Sequence, residues 1–120
     1  MILVDTSVWV DHLRNSNAQL IELLNNDKVL MHPFIIGELS LGVLKNRAEL
    51  MDLFSRLPLV PVAEHDEVMS TIAAHQLFGM GIGWVDAHLI ASALLSNSML
   101  LTNDKPLIKA SKVVGVDALS

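Results

Sequence analysis

ILVDTSVWVDHLR, residues 2–14, changes its periodicity at a single acid. Ile2, Leu3 and Val4 form an apolar run with no polar alternation, the pattern of a strand covered on both faces of a parallel sheet. From Thr6 onward the apolar residues fall at helical spacing. Comparable β-type runs recur as VLM (29–31), LVPV (59–62), MLLT (99–102) and VVGV (113–116). Helical patterns fill the gaps. TSVWVDHLR and AQLIELLNN occupy the first, PFIIGELSLGVL and AELMDLFSRL the second, EHDEVMSTIAAHQLF and WVDAHLIASALL the third. The fourth holds only DKPLIKAS, a short helix at best. The alternation predicts an α/β sandwich on a mostly parallel sheet of about five short strands.

The length of 120 residues suits one domain spanning 1–120, with no linker, repeat or low-complexity segment. The apolar fraction of 52% is high for a soluble monomer, which suggests that a partner or a second copy covers some apolar surface. His32, Glu38, Asp86 and Asn97 interrupt every apolar run before membrane-spanning length, so no membrane role is expected. The amino terminus shows no basic leader, and the chain has no cysteine, hence no disulfide and no thiolate metal site. A cytoplasmic location is expected. The net charge of −5 has the wrong sign for a protein that grips nucleic acid on a broad basic face.

In open α/β folds ligands bind at the carboxyl ends of the strands. Four acids fall near that edge. Asp5 follows the first strand directly, Asp104 follows MLLT after one residue, and Asp86 lies in the first turn of the helix that GIG introduces. Glu38 sits in PFIIGELSLGVL, a stretch apolar on almost every side, which predicts a buried helix. Phe34, Ile35, Leu41 and Gly42 are its helical neighbours, so no cation lies at pairing distance along the helix. Gly37 and Gly42 are expected to allow close packing beside it.

Individually, Asp5, Asp86 and Asp104 suit helix caps and first turns, where acids are favoured. Together, converging carboxylates without Lys or Arg would repel one another unless a divalent cation compensates. Hard oxygen donors, with no cysteine and no histidines at ligating spacing, point to Mg²⁺ or Mn²⁺. Such a site suits phosphoryl transfer. Related chemistries lack their residues here. A receiver domain needs a second acid beside Asp5 and an acceptor Asp after the third strand, where Thr6, Ser7, Val62, Ala63 and Glu64 stand. A haloacid-type phosphatase needs an acid at Ser7, and an integrin-type metal motif fails at Trp9. GIG at 81–83 is too short for a dinucleotide fingerprint. The histidines at 12, 32, 65, 75 and 88 read as structural or surface residues. Trp9 and Trp84 read first as core anchors, although either could wall the pocket or stack a base.

DTSVWVDHLR, the Glu in PFIIGELSLGVL, GIGWVDAHLIASALL and LLTNDKPL together resemble the four successive acidic motifs of the PIN-domain ribonucleases, specifically the VapC-type toxins of prokaryotic toxin-antitoxin pairs. The resemblance covers nearly the whole chain. It implies a three-layer α/β/α sandwich and an Mg²⁺-dependent endoribonuclease, with Asp5, Glu38, Asp86 and Asp104 as the metal-holding acids. Thr6, Ser7 and Thr102 match hydroxyl positions that would orient carboxylates or water. Arg14, Lys45, Arg47, Lys105 and Lys109 are the candidate RNA contacts. The expected products carry 5′ phosphate and 3′ hydroxyl ends. The resemblance further implies a homodimer and a cognate antitoxin whose tail lies in a groove; residues 33–57 are the candidate surface. The other readings are a metal-dependent phosphatase, a DNA nuclease, or a catalytically silent antitoxin-binding module.

Overall fold

Strand and helix alternate along the whole chain. In the computed structural model, which describes residues 1–120, the order is β1 (Ile2–Val4), α1 (Thr6–Asn15), α2 (Ala18–Asn25), β2 (Val29–Leu30), α3 (Pro33–Ser40) and α4 (Arg47–Arg56). Then come α5 (His65–His75), α6 (Trp84–Ser96), β3 (Met99–Leu101), α7 (Lys105–Val114) and β4 (Ala118–Leu119). Local chemistry sets several of these boundaries. Asp5 caps α1 by accepting the Thr6 N–H at 2.8 Å, and Asn17 caps α2 by accepting from Leu20 at 2.9 Å. Pro33 opens α3, where a missing N–H costs nothing, and Gly115 closes α7 at φ 92°.

The four strands pair in the order β2-β1-β3-β4, all parallel. β1 and β3 are therefore neighbours at the centre of the sheet, although nearly the whole chain separates them. The ladder continues past β1, because the Asp5 N–H donates to the Leu101 carbonyl at 2.9 Å. That bond sets Asp5 beside the end of β3. The helices pack in two groups, α1 through α4 and α5 through α7, and the parallel sheet lies between them in a three-layer sandwich. Leu3, Val4, Leu100 and Leu101 are at most 1% exposed, so both faces of the central strands are covered. Trp9 joins the core edge-on to Phe54, with ring centroids 5.4 Å apart. No helix is long and apolar enough to cross a membrane.

Four expectations are corrected. LVPV adds no fifth strand: Leu59 makes one isolated parallel bridge to Met31, and Pro58 and Pro33, which lack the N–H groups that the preceding and following rungs would need, stop the ladder on either side. VVGV is the last turn and cap of α7, with β4 beginning two residues later, so DKPLIKAS belongs to a full ten-residue helix. The helix carrying Glu38 ends at Ser40, eight residues in all, and is only half covered. Leu41 and Val43, beyond it, are 88% and 105% exposed. Around Gly37 and Gly42 the space is open or in ordinary contact, so neither glycine serves close packing.

His32 is fully buried at the start of α3, where its Nδ1 accepts the Phe34 N–H at 2.9 Å. An accepting Nδ1 requires the neutral ring, and the buried Nε2 has no partner. Burial, followed by repulsion from His88, pushes its pKa down to about 4. A histidine neutral in the folded chain but protonated in the unfolded one contributes stability fully above pH 6.5, and loses it as pH falls towards 4. The expected loss over that window is about 3 kcal/mol. Urea unfolding at pH 7 and pH 4.5 should show it in the wild type and much less in His32→Asn, because asparagine caps without titrating. Equal acid sensitivity in both proteins would contradict the assignment. The raised Asp86 carboxyl works in the opposite direction, which is why the comparison between the two proteins is the informative one.

Candidate metal and active site

Asp5 is the most buried of the four acids, at 7% exposure, and it survives there because three donors are turned towards it. Its Oδ1 accepts the Thr6 N–H at 2.8 Å; its Oδ2 accepts the Ser7 hydroxyl at 2.9 Å and the Thr102 hydroxyl at 2.8 Å. Ser7 Oγ in turn accepts the Asn103 N–H at 3.1 Å, and Thr102 Oγ1 accepts the Asp104 N–H at 3.0 Å. A hydroxyl bridge thus ties the end of β1 to the end of β3. It also fixes the backbone from which the Asp104 side chain leaves.

Glu38 reaches the same edge from α3. It is exposed, and its Oε1 accepts the Thr6 hydroxyl at 2.8 Å. The partner absent from its own helix is therefore a hydroxyl on α1. Asp86, in the first turn of α6, accepts the Gly83 N–H at 2.9 Å through Oδ2. Its pKa is raised above the ordinary carboxylate value, first by burial, against the Gly83 hydrogen bond, and then by the charges of Asp5, Asp104 and Glu38. All three other acids are thus within electrostatic reach of Asp86. The single salt bridge in the molecule, Arg56 to Asp52 at 3.0 Å, lies on α4 and neutralises none of them.

The donor set fits a hard divalent cation: four carboxylates, no cysteine, and no basic side chain paired with any of them. No three acidic or imidazole groups close on a point to form a preformed cage.

Of the basic candidates, Arg14 and Lys45 line a groove of about 460 Å³ beside Glu38, whose apolar walls include Val10, Leu13, Leu39 and Leu50. Lys105 follows Asp104 at the start of α7; Arg47 opens α4 and Lys109 lies midway along α7, all three exposed. His32 and His88 are buried, as structural residues would be, but Trp84 is 44% exposed and no core anchor. Sequence reasoning missed the part His32 plays in holding the helix of Glu38. Its position immediately before Pro33, where a helix cap belongs, was the available signal.

The PIN domain model matches residues 2–113. Ribonuclease VapC32 of Mycobacterium tuberculosis, from both the CDC 1551 and H37Rv strains, is 47% identical over 117 residues, which cover 97% of this chain and 94% of the relative. Among solved structures, FitAB bound to an IR36 DNA fragment superposes with a TM-score of 0.71 at 20% identity, over 99% of this chain and 94% of that one. PAE2754 from Pyrobaculum aerophilum gives 0.69 at 21% identity, over 98% and 87% respectively. At such identities the structural likeness is one of fold.

Proposed function

Because the chain belongs to the PIN-domain family, we propose that it is a divalent-metal-dependent endoribonuclease of the VapC type, the toxin of a toxin-antitoxin pair. The observation that carries this reading is the hydroxyl network of Thr6, Ser7 and Thr102, which draws Asp5, Glu38 and the backbone of Asp104 to one sheet edge, with Asp86 close enough to feel all three charges and none of the four paired with a cation. The 47% identity to a ribonuclease over 97% of the chain supports it. Residues 1–120 act as one nuclease domain, in the cytoplasm where its RNA is found.

Asp5, Glu38, Asp86 and Asp104 hold the cation, Mg²⁺ with Mn²⁺ as a substitute. When bound, the cation supplies a water activated at neutral pH and offsets the charge that builds on the departing 3′ oxygen. Thr102 and Ser7 both donate to Asp5, so its carboxylate is fixed in direction. Thr6 does the same for Glu38. Arg14, Lys45, Arg47, Lys105 and Lys109 meet RNA phosphates around the site. The groove beside Glu38 receives an apolar helix of the antitoxin together with a basic side chain that Glu38 attracts. Exposed Leu41, Val43 and Leu53 extend that surface and supply part of a homodimer contact.

Incubation with RNA, DNA and small phosphoesters, in Mg²⁺ and in excess EDTA, tests the reading. RNA should be cut in Mg²⁺ and left intact in EDTA, with DNA and phosphoesters unaffected. Equal RNA cleavage in EDTA would remove the metal. Hydrolysis of the phosphoesters or of DNA alone would replace the substrate.

A further inference from the structure

Trp84 opens α6 two residues before Asp86, and its ring is held in place although it is exposed. It stands edge-on to buried His88, with centroids 4.6 Å apart at 85°, and tilts against His65 at 5.4 Å. Phe34, 37% exposed, packs on the same His88 at 4.7 Å. Next to Trp84 lies a second cavity, of about 210 Å³, walled by Phe78, Ile82, Leu77, Ile72 and Gly83. Phe78 is 69% exposed on the loop bent by Gly79 and Gly81, whose φ values of 74° and 80° suit glycine. No charged residue lines this cavity. Gly83 belongs both to its wall and to the acid site, since its N–H holds Asp86.

We propose that the Trp84–Phe78 cavity is a nucleobase pocket, taking an unstacked base of the RNA strand whose phosphodiester lies at the acids. The proposal rests on the endoribonuclease reading. A wall shared with the support of Asp86 puts the cavity within a nucleotide's reach of that phosphate. Its lining offers no cation for phosphate and no polar side chain to select one base edge, but it includes two aromatic rings, Phe78 and Trp84, of the kind that stack on any base. With a net charge of −5, generic phosphate attraction is weak, so stacking supplies affinity that the surface charge does not.

The chain has two tryptophans, and Trp9 is 1% exposed, so a change in emission on adding a ligand reports Trp84. The probes are a twelve-residue oligoadenylate RNA and an abasic ribose-phosphate twelve-mer of equal charge, added in Mg²⁺ to the Asp86→Asn protein, whose cleavage is expected to be about a thousandfold slower. The oligoadenylate should quench Trp84 and the abasic strand should not. By anisotropy Trp84→Ala, in the same background, should bind the oligoadenylate about tenfold more weakly, and Trp84→Phe nearly as well as its parent. A circular dichroism spectrum identical to the parent's shows that the alanine variant is folded. Oligoadenylate binding without quenching, equal quenching by the abasic strand, or undiminished binding by Trp84→Ala overturns the pocket. So does an emission that changes with protein concentration alone, which would assign the cavity to a second copy. Failure of any oligomer to bind also overturns it; whether the wild type cuts RNA in Mg²⁺ decides the reading beneath it separately.

Discussion

Asp86→Asn is expected to lower Mg²⁺-dependent RNA cleavage by about a thousandfold, equivalent to about 4 kcal/mol of lost transition-state stabilisation, while the protein melts no earlier than the wild type. The two halves of this result have one cause. Partial burial, and after it the charges of three other acids, raise the pKa of Asp86 by penalising its ionised form. Asparagine keeps an oxygen that accepts the Gly83 N–H and removes the charge. The fold thus loses a repulsion and the cation loses a ligand. In added Mg²⁺ the wild type should gain melting temperature and the variant should gain less, because the ion stabilises only the form that binds it. Full activity in the variant, or a melting temperature many degrees lower without metal, would contradict the role given to Asp86.

Thr102→Val is expected to act the other way, costing both stability and rate. Thr102 is fully buried, donates to Asp5 Oδ2 at 2.8 Å and accepts the Asp104 N–H at 3.0 Å. Valine matches its shape and leaves both of those partners short of a bond. An unsatisfied buried polar group costs about 1–3 kcal/mol, so the urea midpoint should fall at unchanged slope. Misdirected carboxylates should slow cleavage by about 10–100-fold even at saturating Mg²⁺. Thr102→Ser, which keeps the hydroxyl, should recover most of the rate. A valine variant as active and as stable as the wild type would show that the hydroxyl bridge between β1 and β3 does not organise the site.

How legible each part was depends on whether its cause is local. Asp5 announces itself because a covered strand meets a helix at one acid, and the central pairing of β1 with β3 makes that position a ligand edge. LVPV misleads because its apolar content matches a strand while Pro58 just before it and Pro33 on the facing segment, by lacking N–H groups, forbid a ladder. VVGV misleads for a different reason: the buried face of α7 ends in Val114, and Gly115 is the helix cap, so the apolar run straddles a boundary. The Thr6 partner of Glu38 lies 32 residues away and the Thr102 partner of Asp5 lies 97 residues away. No periodicity within one helix reaches either. Trp84 shows the remaining limit, since spacing places it near Asp86 but only packing shows that it stays 44% exposed while its ring rests against His88.

The most direct measurement is the chemistry of the ends left after cleavage. If a water activated at the acid site attacks the phosphate in line, end-labelling should find 5′ phosphate and 3′ hydroxyl termini, formed in Mg²⁺ and absent in EDTA or with Asp86→Asn. Fragments ending in 2′,3′-cyclic phosphate, formed equally without metal, would mean that the RNA's own hydroxyl is the nucleophile and that the four acids do not perform the reaction assigned to them.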